Sequence, residues 1–273
     1  MNKQRGEHHL FSLAEKLGIV CLLAALGLCF VEVKLGVLPL ACFLGVSLAA
    51  PFLPAFSYYL PVISRGNPEK NAISLTFDDG PDPVATPEVL RLLEKHKATA
   101  SFFVIGSSAA QHPLLIKEIV RLGHTIGNHS YHHDSLMMLR SRNTLNREIE
   151  STQEELQSLG IRPLVFRPPV GTTSPRLKLV LEELGMMCVN FSCRAADGGN
   201  RRIENLSHKI LSKVRPGDII MLHDSRPKDE TLLPYWINEL ELILTGIREK
   251  RLEIVPLSEL IEKPVMLLSP PIQ

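Results

Sequence analysis

The chain changes character near residue 64. From Leu17 to Ile63 the only charged residues are Glu32 and Lys34. Leu17 to Val31 is uninterrupted apolar sequence. Leu35 to Phe56 is a second apolar run, broken by Pro39, Pro51, Pro54 and Ser47. After Ser64, short apolar runs alternate with amphipathic stretches. Candidate strands are "AISLTF" (72–77), "TASFFVI" (99–105), "HTIGNH" (124–129), "PLVFRPP" (163–169), "MCVNFSC" (187–193), "DIIMLH" (218–223) and "LEIVPL" (252–257). Between them, "TPEVLRLLEKHK", "PLLIKEIVRLG" and "PRLKLVLEELG" carry apolar residues at helical spacing, with proline in the first turn and, in the last two, glycine at the end. "NTLNREIESTQEELQSLG" and "TLLPYWINELELILTGIREKR" read as longer helices. Strand–helix alternation predicts a parallel sheet with crossover helices. Seven such units favour a closed or nearly closed barrel over a flat sheet.

A membrane span needs about 20 apolar residues. The second apolar run is long enough; the first is marginal unless Glu32 lies at its end. Residues 17–63 are therefore expected to be a retained anchor of one or two transmembrane helices in a lipid bilayer. A cleaved leader is the rival, since Lys3, Arg5 and Lys16 precede the core and "SLA" before Ala50 resembles a cleavage site. Basic residues on both sides of the region (Lys3, Arg5 and Lys16; Arg65 and Lys70) favour a hairpin with both ends in the cytoplasm. A single span or a reversed hairpin puts the following domain outside. The organisation read from the chain is a basic segment at 1–16, the anchor at 17–63, a linker at 64–71, a catalytic domain at 72–265 and a tail at 266–273. The location this implies is a bacterial cytoplasmic membrane, with the side left open.

Composition adds exclusions. Of 273 residues, 45% are apolar and 22% charged, which fits a folded protein. The formal net charge of +1 carries no footprint for nucleic acid, and no protein partner is inferred. Cys21, Cys29 and Cys42 lie in the apolar runs, and Cys188 and Cys193 share one candidate strand with side chains on opposite faces. No disulfide framework or paired-cysteine zinc pattern is present.

Candidate chemistry gathers where predicted strands end. In barrels of this type, active sites form at the C-terminal ends of the strands. Asp78 and Asp79 follow the first strand. His129 closes the third, with Tyr131, His132 and His133 beyond it. Arg167 comes late in the fourth, Asp197 follows the fifth, and His223 and Asp224 end the sixth. Within "NHSYHHDS", His129 pairs with His132 or His133 to face one ion. A carboxylate from elsewhere completes a three-ligand site with an open position, as in catalytic zinc.

"TFDDGP", "HSYHH", "RPPVG" and "MLHD", in that order, resemble the polysaccharide deacetylases with a NodB-homology domain, carbohydrate esterase family 4. The resemblance covers roughly 72–260. It implies a distorted (β/α) barrel of seven strands, an α/β fold. It implies a hydrolase that removes N-acetyl groups from a sugar in a polysaccharide or lipid-linked glycan. It implies a divalent metal, Zn2+ first, with Co2+, Ni2+ or Mn2+ as alternatives. Carried over residue by residue, Asp79, His129 and His133 are the metal ligands, and Asp78 is the general base. Arg167 orients Asp78, the backbone N–H of Val170 faces the oxyanion, His223 is the general acid, and Asp197 holds His223. Pro168, Pro169 and Met221 are expected to touch substrate. Other hydrolases of this fold, acting on an O-acetyl ester or a cyclic amide, and a non-catalytic glycan-binding protein remain as alternatives.

Several residues depart from that pattern. Val170 stands where many members carry Tyr, Gly198 where many carry Trp after the aspartate, and Arg194 where an Asp is frequent. Arg201 and Arg202 read as a solvated pair, with contact to an anionic substrate group as the alternative. His96, His112, His124, His208 and Trp236 read as structural, His132 as a loop neighbour, Asp82 as a turn cap, and Asp224 as local.

Overall fold

A computed structural model describes residues 11–269. Lys3 and Arg5 of the basic segment, and residues 270–273 of the tail, lie outside the described residues. The chain opens with α1 (Leu13–Cys29) and α2 (Val37–Ala49). Ser12 and Glu15 cap α1 reciprocally. The two helices pack antiparallel: Gly18 leaves room for the Phe43 ring, and Gly36 for Ala25 and Cys29. The helical stretch Val33–Phe52 has mean hydropathy 2.0 and is only 11% buried. Among the described residues it alone is long and apolar enough to cross a membrane.

The rest of the chain forms β1 (Val62–Ile63), β2 (Ala72–Asp78), α3 (Ala85–His96), β3 (Ala100–Val104), α4 (Gly106–Gln111), α5 (Pro113–Arg121) and β4 (Thr125–Asn128). There follow α6 (Arg142–Ser158), β5 (Ile161–Pro163), β6 (Val165–Phe166), α7 (Pro175–Leu184), β7 (Met187–Val189), β8 (Cys193–Arg194) and α8 (Leu206–Leu211). The last elements are β9 (Ile219–His223), α9 (Leu233–Glu249), β10 (Glu253–Ile254), α10 (Leu257–Leu260) and β11 (Met266–Leu268).

The main sheet is parallel, in the order β1-β7-β6-β4-β3-β2-β9-β8. Only Asn190, Phe191 and Ser192 separate β7 from β8, yet the two strands lie near opposite ends of that order. Three residues span about 10 Å, so the sheet must curl until its ends approach. The backbone N–H of Asn190 donates to Ile63 on one edge at 2.8 Å, and that of Ser192 to Ile219 on the other at 3.1 Å. Strand–helix alternation predicts a closed or nearly closed α/β barrel; the curled parallel sheet is a half-barrel of that α/β type.

Three predicted strands change. The stretch 187–193 is two strands, because the chain crosses the gap between sheet edges there. Cys188 and Cys193 accordingly sit on different strands, both buried and both free. The stretch 163–169 divides at Leu164, and Pro168 and Pro169, lacking N–H donors, end it. In 252–257 only Glu253–Ile254 pairs, beside β2 and off the main path, before Pro256 leads into α10. β11 has no counterpart in the sequence reading; it pairs antiparallel with β5, so order continues past residue 265.

β2 shows how the fold places its chemistry. Ile73, Leu75 and Phe77 point into the core packed under α3 and α9, with Trp236 fully buried. Ser74, Thr76 and Asp78 point the other way, as strand alternation requires. Ser74 and Thr76 hydroxyls donate to the carbonyls of Val255 and Ile220. The inner face of β2 is thus polar and leads up to Asp78 at its C-terminal end.

Candidate active site

Parallel register brings the site residues to one rim. Asp78 stands opposite His223 on β9 and Phe103 on β3. Asn128 stands opposite Phe166, which sets His129 beside Arg167. Strand alternation would send Asp79 away from Asp78. Its φ of 73° breaks the alternation and turns its carboxylate toward His129 and His133. Ser130, His133, Val170 and Ala196 around the same cavity also have positive φ. Left-handed backbone at non-glycine residues costs roughly 1–3 kcal/mol each and concentrates at functional sites.

Asp79 Oδ1 lies 3.4 Å from His129 Nε2 and 3.2 Å from His133 Nε2. These three ligand atoms lie within 4.8 Å of one another. Asp79 Oδ1 is buried and has no hydrogen-bond partner. His129 Nδ1–H donates to the carbonyl of Arg167 at 2.7 Å, which leaves the Nε2 lone pair facing Asp79. Two imidazoles and a carboxylate that converge without bonding one another suit a divalent cation. Burial works against the charge of Asp79, but the neighbouring His129, His223 and His133 imidazoles hold its carboxyl well below the usual range. The open choice between His132 and His133 resolves here. His132 turns outward and binds Glu148 at 2.7 Å.

Asp78 belongs to a different network. Its Oδ1 accepts from Arg167 Nη1 at 2.6 Å. Arg167 is fully buried and also donates to Thr76 Oγ1, to the Val189 carbonyl and to the Asn190 carbonyl. The Phe103 ring lies 3.9 Å beneath its guanidinium carbon. A buried arginine with four of its five N–H donors engaged is a rigid support for the Asp78 carboxylate.

His223 Nδ1–H donates to Asp197 Oδ2 at 2.8 Å, and its Nε2 lies 4.0 Å from Asp79 Oδ2. Burial pulls the imidazole pKa down. The Asp197 hydrogen bond, with the charges of Asp197, Asp79 and Asp78, outweighs this and pushes it up to about 9. The Asp197 bond thus favours the protonated imidazole. The loop that bears Asp197 is tied to β9 by Asn200, which donates to the His223 and Ser225 carbonyls.

These groups open on one cavity of ≈ 360 Å³. Its walls include Val170, Met221 and Asp197, as expected. Pro168 and Pro169 do not line it. They are buried next to Val170, where they turn the chain, away from the cavity wall on which a substrate contact was expected. Arg167 also lies behind the wall and reaches the cavity only through Asp78. Sequence reasoning missed Ser135, Phe191 and Asn190. The first two line the cavity. Asn190 donates to the Gly171 and Pro54 carbonyls. Ser135 closes the "NHSYHHDS" stretch, no motif marks Asn190 or Phe191, and only closure of the sheet brings 190–192 to the rim.

The remaining polar residues have structural partners. Asp82 caps α3 and pairs with Arg226. Asp224 is fully buried and accepts from Thr86 at 2.6 Å, and burial pushes its carboxyl up to about 7. His124 accepts from the Ala100 N–H, and burial lowers its pKa to about 4. Burial pushes the Cys188 thiol up to about 12, too high for a nucleophile.

The family model for polysaccharide deacetylase matches residues 65–189. A chitooligosaccharide deacetylase of Azorhizobium caulinodans is 38% identical over 172 residues, 62% of this chain and 81% of that protein. A peptidoglycan-N-acetylglucosamine deacetylase of Bacillus cereus is 33% identical over 196 residues, 69% of this chain and 87% of that protein. A solved peptidoglycan N-acetylglucosamine deacetylase superposes with a TM-score of 0.68 at 29% identity, covering 75% of this chain and 94% of that one. The motifs, the curled sheet and these relatives agree: the chain belongs to the polysaccharide deacetylase family, family 4 of the carbohydrate esterases.

Proposed function

We propose that the protein is a membrane-held, metal-dependent deacetylase that removes the N-acetyl group from a sugar of a glycan or lipid-linked glycan. The observation that supports this most is the pairing of two differently held groups across one cavity: Asp78 bonded to Arg167 at 2.6 Å, and His223 bonded through Nδ1 to Asp197 at 2.8 Å. Amide hydrolysis needs both, because water must lose a proton and the departing nitrogen must gain one.

Asp79, His129 and His133 would hold the cation, with Zn2+ first among the candidates. Bound there, a divalent ion supplies Lewis acidity to the acetyl carbonyl and makes water more acidic. Asp78 takes the proton of the attacking water, and Arg167 keeps its carboxylate charged and aimed. The Val170 N–H is the donor for the oxygen that gains charge as the carbonyl carbon becomes tetrahedral. His223 gives its proton to the nitrogen as the C–N bond breaks, and Asp197 holds the resulting imidazole in one orientation. Acetate and a free amine leave.

Residues 72–265 make up most of the catalytic domain in this reading, with β1 and β11 adding strands at either end, and the anchor lies within 17–63. Val33–Phe52 is the stretch that crosses the bilayer. Purified full-length protein is expected to release acetate from N-acetylglucosamine oligomers, to lose that activity with chelator and to regain it with Zn2+. Release from acetylated xylan alone would move the assignment to ester hydrolysis. Membrane extraction only by detergent tests the anchor.

A further inference from the structure

Two arginines line the catalytic cavity, Arg194 at the end of β8 and Arg201 beyond the loop of Asp197. The carboxylates of this cavity face groups other than these arginines. Asp78 is held by Arg167 at 2.6 Å, Asp79 faces His129 and His133, and Asp197 binds His223 at 2.8 Å. Among the described residues, neither Arg194 nor Arg201 makes an ion pair or a side-chain hydrogen bond. Arg194 is steadied instead by the Phe191 ring, 5.3 Å from its guanidinium carbon. A cavity of ≈ 360 Å³ lies at the lower end of small-molecule sites. A neutral acetamido sugar offers these guanidinium groups hydroxyl and carbonyl acceptors but no opposite charge, whereas a phosphoester oxyanion supplies the charge and matches their planar, multi-donor geometry.

The same wall leads toward the apolar segment. Phe191 packs at 3.3 Å from a Cβ position on Gly171, and Pro54 at 3.4 Å from that same position. Pro54 also accepts from Asn190 at 2.8 Å, two residues after the stretch Val33–Phe52 ends. The contacts therefore run Arg194, Phe191, Gly171, Pro54, from the cavity to the exit of the apolar helix.

We propose that Arg194 and Arg201 select an N-acetylated sugar that carries a phosphoester, presented to the cavity from the bilayer side. This rests on the deacetylase reading and sharpens its substrate class. The phosphate belongs to a lipid-linked sugar or to a soluble sugar phosphate, and the two sources share the recognition chemistry.

The test uses the full-length protein in detergent or lipid nanodiscs. Acetate release is measured on polyprenyl-phosphate-linked N-acetylglucosamine, on N-acetylglucosamine 1-phosphate and on neutral chitotetraose, for the wild type, R194A, R201A, the double variant and R194K. The ratio of kcat/KM on phosphoester to that on chitotetraose is expected to fall at least about tenfold in the double variant, mainly through KM. R194K should recover part of it, and rising salt should erode it in the wild type alone. Preference for the lipid-linked over the soluble phosphoester assigns the source to the membrane, and equal use assigns it to free sugar phosphate. A wild type that uses chitotetraose as well as either phosphoester, with a ratio unmoved by the substitutions, overturns this proposal and leaves the deacetylase intact. Acetate release from none of the three, by a protein with normal metal content, overturns both.

Discussion

Asp78 and Asp79 are neighbours in the chain, yet their carboxylates answer to different partners. Asp78 Oδ1 accepts from buried Arg167 at 2.6 Å, while Asp79 Oδ1 stands unbonded between His129 and His133. D78N should therefore keep its metal and lose turnover by roughly 10²–10⁴-fold, the scale of a removed general base. D79N should lose metal affinity itself. Metal analysis after dialysis separates the two, and equal metal content with equal activity in both variants would contradict the division.

The raised pKa of His223 fixes the sign of a pH effect. Its folded value of about 9 lies above the ordinary 6.5, so its contribution to stability is complete below 6.5 and disappears as pH rises through about 9. Activity that needs the protonated imidazole falls over the same window. A cation at Asp79 offsets the pull of the nearby carboxylates, so in metal-loaded protein the alkaline limb should lie between these limits. D197N removes the strongest support for the proton and should move that limb at least about one unit lower. An unmoved limb in the kcat/KM profile would show that another group carries it.

Asn190 links the apolar segment to the base. Its amide donates to Pro54 and Gly171, and its carbonyl accepts from Arg167. N190A should lower kcat several-fold while metal content stays constant, because the Val170 turn loses a support. It should also destabilise the fold by about 1–3 kcal/mol through unsatisfied buried carbonyls. Chemical denaturation and acetate release on the same sample read the two effects.

Gly80 lies against the buried Asp224 carboxylate, leaving no room for a Cβ. G80A should cost about 1–3 kcal/mol, the usual range for overpacking. Because Asp78 and Asp79 immediately precede this turn, metal affinity should fall with it. Full stability in G80A would mean that the Asp224 side chain moves freely, against its hydrogen bond to Thr86.

Helices were the most legible part of the chain. "PRLKLVLEELG" becomes α7, with proline at its start and Gly185 at φ 64° beyond its end. Such signals are local and survive any tertiary context. The strand "MCVNFSC" misled because its apolar run is continuous, while the break between β7 and β8 is set by distant sheet edges at Ile63 and Ile219. β11 was invisible for the same reason, since its pairing with β5 spans about a hundred residues of chain.

The sequence by itself determined the set of reactive residues and their order along the rim. Strand periodicity delivers each one to a strand end, and a parallel sheet has all such ends on one side. Spacing alone left His132 and His133 open, and the resemblance pointed to His133 without showing how the chain brings that side chain inward. That rests on the backbone of Ser130 and His133, both at positive φ, which swings His133 inward while Glu148 holds His132 outward. Nor did the sequence reveal that Pro168 and Pro169 are buried, or that Arg194, Phe191 and Asn190 share the cavity wall with the exit of the apolar helix. Those neighbours meet only because the sheet curls on itself. Curvature is a property of all the strands packed together, so no single stretch of sequence encodes it.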